Sequence, residues 1–119
     1  MTDHYDALET RAPAEREAAL FARLPDVLRA AMKAPAYAER LKGVDPASVT
    51  SRAALARLPV LRKSELPALH QAKPPFGGLV AGPLGSFGRL FTSPGPICAP
   101  ESAHADPWRG ARALYAAGF

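Results

Sequence analysis

The sequence predicts a mixed α+β or α/β chain: short helices first, then one or two short strands, a Gly/Pro-rich loop and a final helix. Apolar residues repeat at helical spacing in the first 70 residues. The 119 residues include 13 prolines and nine glycines, about twice the usual proline content. The composition changes near residue 72, so we expect a helical layer over residues 1–72 and a strand–loop–helix segment over residues 73–119.

The first helix is predicted to follow Thr10, whose hydroxyl is suited to cap a helix that has Pro13 in its first turn. Pro25 lies inside the apolar pattern, so either the helix kinks there or a second helix begins there. The apolar positions of this buried face are Leu20, Leu24, Val27, Leu28 and Ala31.

Short helices continue the N-terminal half. Pro35 begins a short helix over residues 36–41, and Gly43 stands where a left-handed C-terminal cap is expected. Asp45 and the proline after it are typical of a capped single turn.

Two further helices are predicted before residue 72. Ser51 is suited to cap a helix over residues 52–58, with Leu55 and Leu58 facing inward, and another helix covers residues 63–71. Helices this short are not stable alone, so we expect them to need a partner surface.

The second half contains the strand candidates. Residues 79–81 form a possible short strand and residues 89–92 a better one, ending at a tight turn over residues 93–96. A surface loop is the alternative for residues 73–100. Asp106 and Pro107 begin the last predicted helix, which Gly118 ends. Its apolar face comprises Trp108, Ala111, Leu114 and Tyr115.

Composition excludes several classes of protein. No run of about 18 apolar residues exists for a membrane span, and the first residues lack the pattern of a secretory signal. The single Cys98 forbids an intrachain disulfide, so a cytoplasmic chain is expected. The net charge of +4 is spread along the sequence without a basic stripe, which argues against nucleic acid as a partner. Cys98 and the three histidines have no zinc-like spacing.

One turn offers a binding chemistry. A strand that runs into Thr92, Ser93 and Gly95 places two hydroxyls and a flexible residue at a turn, where backbone N–H groups can contact a phosphate. Pro94 and Pro96 remove two such N–H donors, and a P-loop lysine is missing. No spacing indicates a catalytic triad or a Cys–His pair, so no catalytic residue and no metal ligand is predicted.

From about Leu24 onward the sequence resembles the N-terminal part of phenylacetate–CoA ligase-type enzymes, in the adenylate-forming acyl-CoA synthetase superfamily. A Pro-x-Tyr-x-x-x-Leu helix, a Leu-x-x-Leu-Pro block and a Lys-x-x-Leu block follow one another in the family's order. The matching residues are 34–41, 44–46, 51–59 and 63–66, then the Pro/Gly-rich passage, the strand, the turn and the helix that ends before Phe119.

The resemblance implies a function for the whole family. ATP and Mg²⁺ convert a small carboxylic acid, typically an aryl acid, to an acyl-adenylate with release of pyrophosphate, and coenzyme A then displaces AMP. It implies that Thr92, Ser93 and Gly95 occupy the place of the ATP-phosphate loop, without that loop's Thr-Thr-Gly core and lysine. The family's other functional residues lie beyond position 119. We therefore expect an inactive fragment, with no tight cofactor binding, whose partner is the remainder of its own large domain.

Two alternatives stay open. The chain is a degenerate homologue that no longer adenylates, or it is a small helical module that binds a protein partner through the apolar face of its first helix. In-frame continuation of the coding DNA into further family-like sequence would separate the fragment from the module.

Overall fold

The structure, a computed structural model, describes residues 3–119 as a helical half, one β-hairpin and a last short helix. Its helices and its two-stranded antiparallel sheet confirm the predicted α+β class. The main elements are α1 (Pro13–Ala31), α2 (Pro35–Arg40), α3 (Arg52–Leu55), α4 (Leu66–Ala72), β1 (Phe87–Ser93), β2 (Ile97–Ser102) and α5 (Gly110–Ala116). Single 3-10 turns lie at Ala7–Glu9, Pro46–Ser48, Lys63–Glu65 and Leu84–Ser86.

The helix α1 runs through Pro25 as one continuous element, so no second helix begins there. A proline in this position removes one N–H donor and crowds the carbonyl of Phe21, and the 19-residue helix continues through it. The predicted cap at Thr10 is wrong. Ala12 precedes the helix, while the Thr10 hydroxyl donates to the Ala7 carbonyl at 3.1 Å and closes the preceding turn.

A small apolar cluster holds the helical half together. Its buried members are Leu28 of α1, Leu41 directly after α2, Val49 directly after the 3-10 turn at Pro46–Ser48, and Ala54 of α3. The partly buried residues packed around them are Leu24, Met32, Val44 and Leu58. The burial of Leu28 agrees with the predicted face of α1, whereas Leu20 and Val27 of that face are 60% and 56% exposed.

The helix α3 is shorter than predicted. Ser51 caps it as expected, because its hydroxyl accepts the Ala54 N–H at 3.2 Å. The α-helix ends at Leu55 rather than at residue 58, and the chain continues in turns in which the Leu58 N–H donates to the Leu55 carbonyl at 3.1 Å. The helix packs on the cluster through Ala54. Leu55 is 43% exposed, which contradicts the prediction, whereas Leu58 packs on the cluster.

Local capping signals are confirmed at three other positions. Gly43 and Gly118 have positive φ values of 81° and 90°. The Phe119 N–H donates to the Leu114 carbonyl at 3.1 Å, as in a Schellman motif. Asp45 accepts the Ala47 N–H at 3.0 Å. The helix predicted over residues 63–71 is instead a 3-10 turn followed by α4, because Pro67 lies in the first turn of a new helix.

The hairpin pairs β1 with β2 in an antiparallel register that places Ser93 opposite Ile97. The strand predicted over residues 89–92 is confirmed as part of β1. No strand forms over residues 79–81. The Leu79 N–H instead donates to the Phe76 carbonyl at 3.0 Å in a turn, and no described strand pairs with this segment.

A buried carboxylate fastens the hairpin to the chain that follows it. Glu101 of β2 is 4% exposed, accepts from Arg89 of β1 at 2.7 Å and accepts from the Trp108 indole N–H. The hydrogen bond from Trp108, and then that from Arg89, lowers the pKa of Glu101 below its ordinary value. We call these three residues the Glu101 clamp.

The last helix begins later than predicted. Asp106 is a cap, as expected, but it accepts the N–H groups of Gly110 at 2.7 Å and Ala111 at 3.1 Å. The helix α5 therefore begins at Gly110. Trp108 precedes it and cannot lie on its apolar face, so that part of the prediction is wrong.

The chain is spread out rather than closed around a centre. Its radius of gyration is 17.1 Å, against about 13.5 Å for a compact domain of this length. Its accessible surface is 8720 Å², against about 6,200 Å² for a folded monomer of this mass. Among residues 3–119, no helix combines the length and the apolar character that crossing a bilayer requires. Large apolar side chains, among them Val60, Trp108 and Phe119, remain uncovered.

The cluster can be tested by two matched leucine truncations. Leu41→Ala removes a side chain that is 5% exposed and should destabilise the fold by about 2–4 kcal/mol, because it leaves a cavity. Leu20→Ala removes one that is 60% exposed and should cost less than about 0.5 kcal/mol. Urea unfolding followed by far-UV circular dichroism measures both. Equal losses would mean that the cluster is not the centre of stability.

The Glu101 clamp predicts a specific dependence on acid. Because the pKa of Glu101 is lowered by folding, its contribution to stability is complete above its ordinary value of 4.5 and is lost as the pH falls through the folded value. Glu101→Gln should lower the free energy of unfolding at pH 7, and its difference from the unmodified chain should shrink steadily below pH 4.5. Glu15→Gln, at an exposed position of α1, is the control and should leave the pH profile unchanged. A constant difference between Glu101→Gln and the unmodified chain at all pH values would contradict the clamp.

Candidate functional site

The three residues predicted to contact phosphate lie together at the tip of the hairpin. Thr92 and Ser93 end β1, and Gly95 is the middle residue of the three-residue turn that leads to Ile97. Thr92 and Gly95 are exposed and Ser93 is half-buried. Gly95 has a φ of 146°, and a Cβ there would lie 3.0 Å from Cγ1 of Ile97, so this tight turn favours glycine.

The tip offers few groups for a phosphate. Successive residues of a strand face opposite sides of the sheet, so the Thr92 and Ser93 hydroxyls do not converge on one point. Gly95 provides the turn's single backbone N–H, because the residues on either side of it are prolines. Arg89 is the only arginine or lysine between residues 74 and 108, and its guanidinium is bound to Glu101. The described residues therefore do not fit a tight triphosphate cradle.

A cavity lies between α4 and the hairpin. His70 of α4 and Cys98 of β2 meet there, where the Cys98 backbone N–H donates to Nδ1 of His70 at 3.5 Å. Leu66, Phe76, Phe87 and Ile97 are among the other lining residues of this cavity of about 390 Å³. The sequence alone could not pair His70 with Cys98, because 28 residues separate them. Their contact is between a side chain and the backbone, and it joins α4 to β2.

Acidic and histidine side chains are dispersed over the molecule. Within residues 3–119, no group of three or more His, Cys, Asp or Glu side chains is arranged to hold a metal ion. The two carboxylates with lowered pKa values, Glu65 and Glu101, are each held by an arginine. For Glu65 the largest cause is the hydrogen bond from the Arg62 backbone N–H, at 2.6 Å, followed by that from Arg40. Both are structural ion pairs.

Glu101 was not among the residues singled out by sequence, although a signal for it exists. Arg89 lies five residues before Pro94 and Glu101 five residues after Pro96, so a hairpin centred on the turn places opposite charges across from each other. Using that signal requires that residues 97–102 form a strand, which Pro100 argues against. Pro100 is tolerated because the hairpin has only two strands, which leaves each with one unpaired edge.

Comparison with known proteins identifies one informative likeness. No family model matches the sequence, and no curated protein matches it. A solved structure, described as the crystal structure of 2-hydroxyisobutyryl-CoA ligase in the postadenylation state in complex with 2-HIB-AMP, is similar with a TM-score of 0.70 and 29% sequence identity. The match covers 76% of this chain and 20% of that ligase, so the chain spans only a small part of the ligase's length.

This likeness confirms the coarser part of the resemblance predicted from the sequence. It supports the adenylate-forming acyl-CoA ligase superfamily and does not select the phenylacetate–CoA ligase type. The chain has the fold of part of a larger adenylate-forming enzyme.

Proposed function

We propose that this chain is the outer helical layer and phosphate-side hairpin of an AMP-forming acyl-acid CoA ligase of the phenylacetate type. The observation that carries the proposal is the structural likeness to a CoA ligase, with a TM-score of 0.70 at 29% identity. The exposed apolar side chains of the hairpin and α5, among them Leu90, Phe91 and Leu114, are in keeping with a layer that packs on a larger body. A cytoplasmic location belongs to the same proposal.

The proposed chemistry is that of the whole enzyme. A small carboxylic acid is activated with ATP and Mg²⁺ and then transferred to coenzyme A, while the chain by itself has no turnover. Its own part is modest. The Thr92 hydroxyl, the Ser93 hydroxyl and the Gly95 N–H each offer at most one separate hydrogen bond to the phosphates. The remainder of the large domain supplies the charges that hold the phosphates.

A second candidate, favoured by the hairpin tip, is a homologue that no longer adenylates. Two prolines flank Gly95, and the neighbouring hydroxyls lie on opposite faces of the hairpin. A tip of this kind holds a triphosphate weakly in either case. The two candidates differ in whether the complete protein turns ATP over.

The experiment expresses the complete coding region that contains these 119 residues and measures pyrophosphate release. Release that depends on an added aryl acid, with formation of its CoA thioester, supports the ligase. Binding of acyl-CoA without any acid-dependent pyrophosphate release would favour the non-adenylating homologue. The 119-residue chain alone, assayed in parallel, should release none.

Binding of nucleotide to the hairpin tip is predicted to be weak. Isothermal titration of Mg·ATP into the chain should give a Kd above about 1 mM, since one N–H and two diverging hydroxyls are available. Ser93→Ala should change this value by less than about twofold. Ser64→Ala, at an exposed position in the helical half, is the matched control. A micromolar affinity that Ser93→Ala abolishes and Ser64→Ala retains would contradict the weak tip.

A further inference from the structure

A long apolar groove follows one side of α1, away from the hairpin tip. Its volume is about 750 Å³. Its apolar floor is formed by Leu20, Phe21, Leu24 and Val27 of α1 together with Leu55 of α3. We call this surface the α1 groove. Its floor stays open to solvent among the described residues.

Three residues of the floor of the α1 groove are largely exposed to solvent. Leu20 is 60%, Val27 56% and Leu55 43% exposed. Leu20, Leu24 and Val27 repeat at i, i+4 and i+7, so their side chains form one stripe along the helix. A contiguous apolar stripe of this kind is typical of a surface that receives the apolar face of another helix.

The rim of the groove is positively charged. Arg16, Arg23, Arg52 and Arg109 line it, together with the single acid Glu17. Glu17 accepts from Arg52 at 2.5 Å, which neutralises that pair. No ion pair or side-chain hydrogen bond to another described residue engages Arg16, Arg23 or Arg109. Three positive charges therefore remain uncompensated around an apolar floor.

Arg109 adds an independent observation. It has a φ of 54°, the left-handed conformation that a residue with a Cβ adopts at a cost of about 1 kcal/mol. Glycine would take this conformation freely, and glycine stands at the next position, Gly110. Backbone strain at a residue whose side chain lines a groove points to a role for that side chain.

We propose that the α1 groove binds an acidic amphipathic helix of a partner polypeptide. The partner's apolar stripe lies on Leu20, Leu24 and Val27, and its Asp or Glu side chains pair with Arg16, Arg23 and Arg109. A second copy of this chain would present the same arginines, so its groove would be repelled. The proposal is independent of any ligase activity.

The test uses two fluorescein-labelled helical peptides of about 18 residues, added to the 119-residue chain. Both have leucines at i, i+4 and i+7, one is flanked by glutamates and the other by lysines. Fluorescence anisotropy should give a Kd for the glutamate peptide at least about tenfold lower than for the lysine peptide, with the difference reduced by salt. The combined variant Arg16→Glu and Arg23→Glu should reverse the preference.

The matched control changes the same number of charges outside the groove. Arg57→Glu combined with Lys42→Glu, both at exposed positions, should keep the glutamate preference. Far-UV circular dichroism verifies that each variant retains its helices. Equal binding of the two peptides, absence of binding, or a preference unaffected by Arg16→Glu and Arg23→Glu would overturn the proposal. The proposal would also be overturned if the unmodified chain bound anionic vesicles more tightly than the glutamate peptide, or if it formed a dimer in sedimentation.

Discussion

The burial of a few side chains between α1, α2 and α3 is the interaction on which the rest of this structure depends. Leu28, Leu41, Val49 and Ala54 form the one buried cluster of the helical half, and each belongs to a different part of the chain. Large apolar side chains are scarce in this sequence, since alanine supplies much of its hydrophobic fraction. The cluster therefore stays small, and the helices around it keep one face uncovered.

Outside the buried cluster, polar and aromatic contacts join the segments of the chain. The Ala36 N–H donates to the Gly78 carbonyl at 2.9 Å and ties α2 to the segment before the hairpin. Asp6 accepts from Arg112, and the Tyr5 ring packs edge-on against Tyr115, which brings the first described residues to α5. Partly exposed ion pairs contribute little individually, so these contacts orient the segments more than they stabilise them. A layer held in this way can adapt to the surface on which it packs.

The sequence was informative where structure is decided locally. The caps at Asp45 and Ser51 and the positive φ of Gly43 and Gly118 follow from the chemistry of single residues, and all four were predictable. The outward position of Leu55 was not, because it depends on which face of α3 meets the buried cluster. The strand β2 was missed because proline argues against a strand, while the pairing with β1 is a long-range event.

The same difference between local and long-range structure applies to the candidate site. The turn that gathers Thr92, Ser93 and Gly95 is local, and it was predicted from residue types alone. Whether their groups converge depends on strand pleat and register, which only the hairpin reveals. Glu101 illustrates the limit most clearly, since its burial requires Arg89 from the other strand and Trp108 from the chain beyond.

The most direct test of an uncovered layer is the shape of the isolated chain in solution, measured by small-angle X-ray scattering at several concentrations. A monomer with a radius of gyration near 17.1 Å and an elongated profile, consistent with dimensions of 50 × 35 × 24 Å, is the predicted result. A monomer that closes to about 13.5 Å, as expected for a self-contained domain of this length, would contradict the account.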